Sequence, residues 1–138
     1  MFSNSAKYAI RTIEFLLQNQ NSEMLSVIKL AAELDIPQPY LSKIMQQLSK
    51  GGIISSSKGR GGGFYLSEEN KKRPLIDMVV CIEGHNVFDK CILGLNQCSD
   101  ENPCLLHNHF KIFKQSLEKS ICDESIAELL KINNNPRF

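Results

Sequence analysis

The sequence predicts a mainly α-helical protein that carries one small β-hairpin. Apolar residues recur at helical spacing in several separate segments, and a glycine-rich stretch lies between two short runs of strand-forming residues. The chain has 138 residues, of which 42% are hydrophobic. This length and composition suit one compact domain with a hydrophobic core of its own.

Three helices are predicted in the first part of the chain. The first has one apolar face and ends near Gln18, and the second follows Ser26, which is a suitable N-cap. The third begins around Pro37 and Pro39, because proline is tolerated only before or within a first helical turn, and a pair of glycines ends it. The tight turn at Asp35 between the second and third helices predicts a helix-turn-helix.

The outer face of the third helix is typical of a surface that reads DNA. Its side chains are mostly uncharged hydrogen-bonding groups with a few lysines, whereas an ordinary exposed face mixes glutamate and lysine. Glutamine can pair with adenine, and lysine and tyrosine can hold phosphate oxygens. The alternative to a DNA-binding helix-turn-helix is an ordinary helical hairpin. The predicted DNA contacts of this helix are Gln38, Tyr40, Ser42, Lys43, Gln46, Gln47 and Lys50.

A β-hairpin is predicted directly after the third helix. Residues 53–57 begin with two isoleucines, residues 64–66 contain two aromatic side chains, and four glycines lie between them. A phosphate-binding P-loop is excluded because the stretch lacks a Gly-Lys-Ser/Thr ending and returns to a strand pattern. A hairpin at this position is the wing of a winged helix. Arg60 at its tip is expected to enter a minor groove, and Lys58 to touch the DNA backbone.

The charge of the chain is unevenly distributed. Residues 1–74 hold ten Lys/Arg against six Asp/Glu, or +4, whereas residues 75–138 hold six against nine, or −3. The front half is therefore the better polyanion binder, although the imbalance is mild. We assign residues 1–74 to a winged helix-turn-helix DNA-binding region. Its last four residues form a short basic run that is predicted to be a solvated turn.

The second half of the chain is predicted to contain a long loop between two helices. A fourth helix begins at Leu75 and is closed by Gly84, and a loop then extends to Pro103. A helix of about 17 residues follows, roughly 25 Å long. A capping box at Ser125 opens a last short helix, and residues 133–138 are expected to be frayed. The predicted regions are a linking helix and cysteine loop at 75–105 and a dimerisation helix and tail at 106–138.

The long helix has an aromatic apolar stripe that needs a partner. It can fold back on the domain, but a long terminal amphipathic helix is also how small regulators form homodimers. The predicted dimerisation residues are Leu106, Phe110, Phe113, Leu117 and Ile121.

Three cysteines and one histidine lie close together in the loop and at the start of this helix. Cys91, Cys98, Cys104 and His107 fall within 17 residues, and all five cysteines of the chain lie in its second half. An odd number of thiols without a secretion signal favours a metal or cluster site over a disulfide framework. Zinc is one alternative, since three cysteines and one histidine also form structural zinc sites, and a cluster-free thiol sensor is another.

Neither secretion nor membrane insertion is supported by the sequence. It has no apolar run after a basic start and no stretch of 18 apolar residues, so a cytoplasmic protein is expected. The chain lacks Cys-x-x-Cys and any paired acid and base constellation, which argues against an enzyme or an electron carrier.

Several motifs together resemble the IscR/NsrR family of bacterial iron-sulfur transcription regulators. The similarity extends over nearly the whole chain, and the wing glycines and the cysteine trio are specific in combination. The motifs are Tyr8-Ala9-Ile10-Arg11, Pro39-Tyr40-Leu41, the wing Gly59-Arg60-Gly61-Gly62-Gly63-Phe64, and the set Cys91, Cys98 and Cys104.

The resemblance implies a homodimeric winged-helix protein that binds pseudo-palindromic operator DNA, as a repressor or an activator. It also implies an iron-sulfur cluster, with [2Fe-2S] favoured over [4Fe-4S], whose presence or damage changes the affinity for DNA. Carried over to this sequence, the thiolate ligands are Cys91, Cys98 and Cys104. The spacing Cys104-Leu-Leu-His107 matches the branch that uses histidine as the fourth ligand, and residues 1–13 contain no Asp, Glu, His or Cys that could replace it.

Overall fold

A computed structural model of the chain describes residues 2–20 and 24–132. The strands are β1 (Ser55–Ser57) and β2 (Gly63–Tyr65). The helices are α1 (Asn4–Gln18), α2 (Val27–Leu34), α3 (Gln38–Lys50), α4 (Glu68–Lys72), α5 (Leu75–Glu83), α6 (His107–Asp123) and α7 (Leu129–Ile132), with a 3-10 turn at Ile126–Glu128. Residues 133–138, which were expected to be frayed, lie outside the described residues, as do residues 21–23 of the turn between α1 and α2.

The helix-turn-helix formed by α2 and α3 is built from local signals in the sequence. The Ser26 side chain accepts a hydrogen bond from the Lys29 N–H and caps α2. Asp35 ends that helix in the left-handed conformation, with φ of 52°, which turns the chain toward α3. Gly51 and Gly52 close α3 as predicted, and Gly52 has φ of 71°.

The core lies between α1, α3, α5 and the chain that follows α6. Ile13, Leu41, Met78 and Ile126 are each at most 1% exposed. Ile126 reaches the core because its N–H donates to the Arg73 carbonyl, at 2.9 Å, in a short bridge next to α5. The residues that follow the long helix therefore return to the body of the protein.

The wing is a two-stranded antiparallel hairpin in which Ser56 lies opposite Phe64. Phe64 also exchanges two backbone hydrogen bonds with Leu25, at 2.8 and 3.1 Å, which hold β2 against the chain before α2. A Cβ atom at Gly63 would lie 2.6 Å from the carbonyl group of Leu25. Glycine is therefore required there by the close approach of two backbones.

The chain after the wing differs from the prediction in one respect. Of the solvated turn predicted at 71–74, Lys71 and Lys72 form the end of a short helix, α4, which opens with a capping box between Ser67 and Asn70. Arg73 and Pro74 connect this helix to α5. Arg73 is held rather than free, because its guanidinium donates to the Gly51 carbonyl and to Asp77.

The 17 residues of α6 lie on the outside of the fold, and none of them is buried. The helix contacts α5 on one side. A winged helix-turn-helix followed by a long C-terminal helix confirms the predicted fold class, whereas the division into three regions and the role of α6 in dimerisation stay predictions. None of the described helices is both long enough and apolar enough to cross a membrane.

Candidate functional site

The three predicted cysteine ligands come together in space. The sulfur atoms of Cys91, Cys98 and Cys104 lie within 4.8 Å of one another, and each side chain is half-buried. In the described part of the chain this is the one group of three or more Cys, His, Asp or Glu side chains with ligand atoms so close. Since thiolates are soft ligands, the set suits an iron-sulfur cluster or zinc.

Turns and buried anchors bring the cysteine segment together. Val87 and Phe88 are 2% and 7% exposed and fix the start of the segment in the core. The N–H of Gly94 then donates to the Cys91 carbonyl, at 3.0 Å, in a tight turn that Gly94 permits with φ of 72°. The His107 N–H donates to the Cys104 carbonyl, at 3.0 Å, which sets Cys104 one turn before α6.

His107 lies beside this group and connects it to an acidic side chain. Its Nδ1 atom is 3.1 Å from the Cys98 sulfur, and its Nε2 atom is 2.9 Å from Asp100 Oδ1. Asp100 also accepts two hydrogen bonds from Lys111, at 2.7 and 2.8 Å. Lys111 in the first place, and His107 after it, hold the pKa of Asp100 below its ordinary value. A carboxylate on the far nitrogen is the usual partner of a metal-binding histidine.

The thiols differ in acidity. The backbone N–H of Leu95, next to the Cys91 sulfur, lowers the pKa of that thiol. The backbone N–H of Cys104 favours the thiolate of Cys98, but desolvation and the sulfurs of Cys104 and Cys91 outweigh it and raise the pKa of Cys98. A thiolate on one of these sulfurs disfavours ionisation of the other, so the pair loses its protons in separate steps.

A cleft of about 400 Å³ opens in front of the cysteine group. Phe88 and Phe110 form apolar walls, and Lys111 and Lys114 line the side made by α6. The cleft has room for a group larger than a single ion beside the sulfurs. The donor set and the space in front of it are therefore compatible with an iron-sulfur cluster.

The residues predicted to touch DNA form a second surface, on α3 and the wing. Those of the outer face of α3 are exposed, except for Ser42, which is half-buried. The Tyr40 hydroxyl lies 2.7 Å from the Ser5 Oγ atom, and its ring packs edge to face on Tyr8, at 5.5 Å between centroids. Lys58 and Arg60 are exposed in the turn of the hairpin. The cation-bearing side chains of this surface are thus open to a polyanion.

Comparison with known families assigns the fold to one of them. Residues 2–132 match the Rrf2 model, described as an iron-dependent transcriptional regulator. The chain belongs to the Rrf2 family. It is a transcriptional regulator and not an enzyme, and the resemblance to IscR/NsrR-type regulators is confirmed.

One relative in sequence and two solved structures resemble this chain over most of its length. The NsrR regulator of Geobacillus kaustophilus is 30% identical over 105 residues, which cover 66% of this chain and 67% of that protein. The structure of CymR, the global cysteine regulator of B. subtilis, has a TM-score of 0.73 at 18% identity and covers 97% of this chain and 98% of CymR. The structure of T. potens IscR has a TM-score of 0.70 at 21% identity, over 96% of this chain and 87% of IscR.

The apolar stripe of α6 in this Rrf2 protein is split between two environments. Phe110, Leu117 and Ile121 are half-buried, and the last two pack against the core. Phe113 is 52% exposed and Ile112 is 70% exposed. Leu105 and Leu106, just before the helix, are exposed as well. One edge of the stripe thus packs against the core of the domain, and the other edge is an exposed apolar surface.

Sequence reasoning missed three polar residues that organise this Rrf2 fold. Asp100 was not singled out, although an acidic residue between the second and third cysteines is a signal for a partner of His107. Asn70 and Arg73 hold carbonyl groups that lie 18 and 22 residues away in the sequence. No local pattern in the sequence marks contacts of that kind.

Proposed function

We propose that this Rrf2 protein is a dimeric, cytoplasmic regulator whose affinity for operator DNA is controlled by an iron-sulfur cluster. The ligands in this proposal are Cys91, Cys98, Cys104 and His107, and a [2Fe-2S] cluster is favoured over [4Fe-4S]. The observation that carries it is the mutual approach of the three sulfur atoms, within 4.8 Å, at the edge of an open cleft.

The bound cluster would supply a centre that responds to redox state, nitric oxide or iron supply, because mixed histidine and thiolate ligation tunes its potential. The residues of the chain contribute the rest. Three thiolates hold the loop, and His107 is oriented by the carboxylate of Asp100, at 2.9 Å. Cys104 lies one turn before α6, and His107 is the first residue of this helix. The order of the cysteine loop and the position of the first turn of α6 therefore depend on the same ligands.

A route from the cysteine segment to the DNA surface runs through α5. This helix contacts both α3 and α6. Its Cys81 thiol donates to the Gln47 carbonyl in the last turn of α3, at 3.3 Å. Arg73, paired with Asp77 of α5, donates to the Gly51 carbonyl at 2.6 Å. A shift of α5 is therefore transmitted to the end of α3, which is the kind of two-state element that regulation needs.

The DNA contacts in this proposal are the exposed side chains of α3 and of the wing. In a dimer, two copies of α3 would enter successive major grooves, so that the operator would be pseudo-palindromic. The exposed edge of the α6 stripe supports a second copy as its partner, since Phe113 and Ile112 form an apolar surface rather than a solvated face.

The cofactor is tested by purifying the protein without oxygen and measuring its visible spectrum, iron and acid-labile sulfide. We expect a coloured protein with iron and sulfide, and loss of colour in the Cys98→Ser variant. DNA affinity is then compared between the loaded and the metal-free protein. A colourless wild-type protein with neither iron nor sulfide would contradict the cluster proposal.

The DNA surface is tested with Arg60→Ala and Lys43→Ala, using Lys119→Ala on the exposed surface of α6 as the matched loss of one positive charge. We expect the first two to weaken binding and to lower its salt dependence, since each lost phosphate contact removes about 0.9 from the slope of log K against log salt. Equal binding by all three variants would remove Arg60 and Lys43 from the DNA surface.

A second candidate is a zinc-bound or cluster-free thiol regulator with the same DNA surface. Sulfur atoms this close can also surround one tetrahedral ion, since Zn–S bonds of about 2.3 Å hold the ligands at short distances from one another. One zinc per chain after anaerobic purification would favour this candidate. A metal-free protein whose DNA binding changes on thiol oxidation would favour the thiol sensor.

A further inference from the structure

Asn70 is a buried polar residue outside both candidate sites, and both polar atoms of its side-chain amide have hydrogen-bond partners. It is 6% exposed and lies in α4, directly after the wing. Its Oδ1 atom accepts hydrogen bonds from the Ser55 hydroxyl and the Ser67 N–H, both at 2.8 Å. Its Nδ2 atom donates to the Gly52 carbonyl at 2.9 Å.

These partners belong to three separate segments that meet at the base of the wing. Gly52 ends the turn after α3, Ser55 is the first residue of β1, and Ser67 follows β2. One side chain therefore connects the end of the DNA-reading helix to the point where the wing begins and the point where it ends. The exposed turn with Lys58 and Arg60 lies at the other end of the same hairpin.

The apolar contacts of the wing cannot replace this connection. Ile53 and Ile54 are 1% and 2% exposed and anchor the chain before β1, but burial of apolar surface has no preferred direction. Hydrogen bonds require a definite geometry. The three bonds made by the amide of Asn70 therefore help to orient the hairpin relative to α3, whereas the isoleucines keep its base in the core. The Ser49 and Ser56 hydroxyls, 3.2 Å apart, and the two backbone bonds of Phe64 to Leu25 are the other directional contacts of the wing.

We infer that Asn70 is a positioning residue for DNA binding, which acts through the wing and touches no DNA itself. It holds the hairpin at the angle at which Lys58 and Arg60 meet the duplex while α3 occupies its groove. The inference rests on the DNA surface proposed above. It adds that a single buried amide joins the end of α3 to both ends of the wing.

Two substitutions separate the bonds of Asn70. Asn70→Asp keeps the shape and the two accepting interactions, but it loses the donor and sets an oxygen against the Gly52 carbonyl. Asn70→Ala removes the whole connection. Thr12→Ala is the matched control, because Thr12 is 0% exposed and also loses a buried hydrogen bond, to the Tyr8 carbonyl at 2.7 Å, away from the wing.

The measurement is the salt dependence of binding to a duplex of about 30 base pairs, which spans two half-sites. The duplex is selected by the wild-type protein from a random pool. The double variant Lys58→Ala/Arg60→Ala should lower the slope by about 2 per bound chain, at about 0.9 for each contact. Asn70→Ala and Asn70→Asp should each remove at least half of that amount. Neither substitution at Asn70 should lower the slope further when it is added to the double variant, which already lacks both wing cations.

The slope distinguishes positioning from stability, because partial unfolding lowers the active fraction without changing the number of ions released. Thr12→Ala should therefore lower the melting temperature and leave the slope unchanged. Asn70 variants that lose stability but keep the wild-type slope would overturn the inference while the proposed DNA surface stands. If the double variant itself keeps the wild-type slope, the wing does not meet DNA. The inference then fails together with the wing part of the proposed DNA surface. Asn70→Asp provides the measurement should Asn70→Ala not fold.

Discussion

Replacing Asp100 by alanine tests whether His107 is a ligand. The carboxylate of Asp100 accepts from His107 Nε2 at 2.9 Å, and this bond leaves Nδ1 directed at the cysteine group, 3.1 Å from the Cys98 sulfur. Loss of such an outer partner typically weakens metal binding by about 10–100-fold. The Asp100 side chain is 67% exposed, and water can replace part of its effect. We therefore expect the lower end of this range, about 10-fold.

The assay is titration of the reduced, metal-free protein with Co²⁺ under anaerobic conditions, followed by thiolate-to-cobalt charge-transfer absorption. Glu101→Ala removes the same charge one residue away. The Glu101 side chain is exposed and makes no hydrogen bond or ion pair with residues 2–20 and 24–132. Its affinity for Co²⁺ should stay close to that of the wild type. Equal affinity of the Asp100 and Glu101 variants would refute the reasoning, since an Asp100 that does not orient a ligand can act only through its charge.

Three further perturbations follow from the fold. Gly63→Ala should lower the free energy of unfolding by about 1–3 kcal/mol, because it breaks two backbone hydrogen bonds of β2. Gly61→Asn is the control. A Cβ atom there meets nothing within 4 Å and asparagine tolerates φ of 70°, so the stability of this variant should stay near that of the wild type. Phe113→Glu should shift a dimer toward monomer in analytical ultracentrifugation, and an unchanged mass would remove this edge of α6 from the interface. The Ser125 N–H lowers the pKa of Glu128 below 4.5. The stabilisation by that carboxylate should therefore be complete above pH 4.5, fade at lower pH, and be absent in Glu128→Gln, as measured by acid unfolding.

The sequence was most informative where the structure is local. The helices α1, α2 and α3 follow from apolar spacing and from caps such as Ser26, and the wing follows from a glycine-rich turn between two short strand-forming runs. The closeness of the cysteines was also predictable, because few residues separate them and one kind of chemistry accounts for them all. These features depend on neighbours in the sequence, which is why they could be read from it.

Contacts between distant segments were not predictable in the same way. Ile126 fills the core although it lies beyond the long helix, and a short apolar segment near the end of the chain does not reveal where it packs. Arg73 looked like part of a solvated basic run. Its bond to the Gly51 carbonyl exists only because α3, the wing and α5 meet there. Polar residues of this kind become recognisable once the buried carbonyl groups have been matched with their donors.

The end of α3 is the point where these long-range contacts converge, and this has a consequence for regulation. A helix end leaves carbonyl groups without helical partners. Here the Gly51 carbonyl accepts a hydrogen bond from Arg73, which is paired with Asp77 of α5. The Gln47 carbonyl already accepts from the Gly51 N–H, at 2.9 Å, and receives a second donor from Cys81 of α5. The same α5 leads directly into the cysteine segment. A rearrangement of that segment that shifted α5 relative to α3 would stretch these bonds. Under the function proposed above, α3 would then respond to the cysteine segment without any contact between the cysteines and DNA.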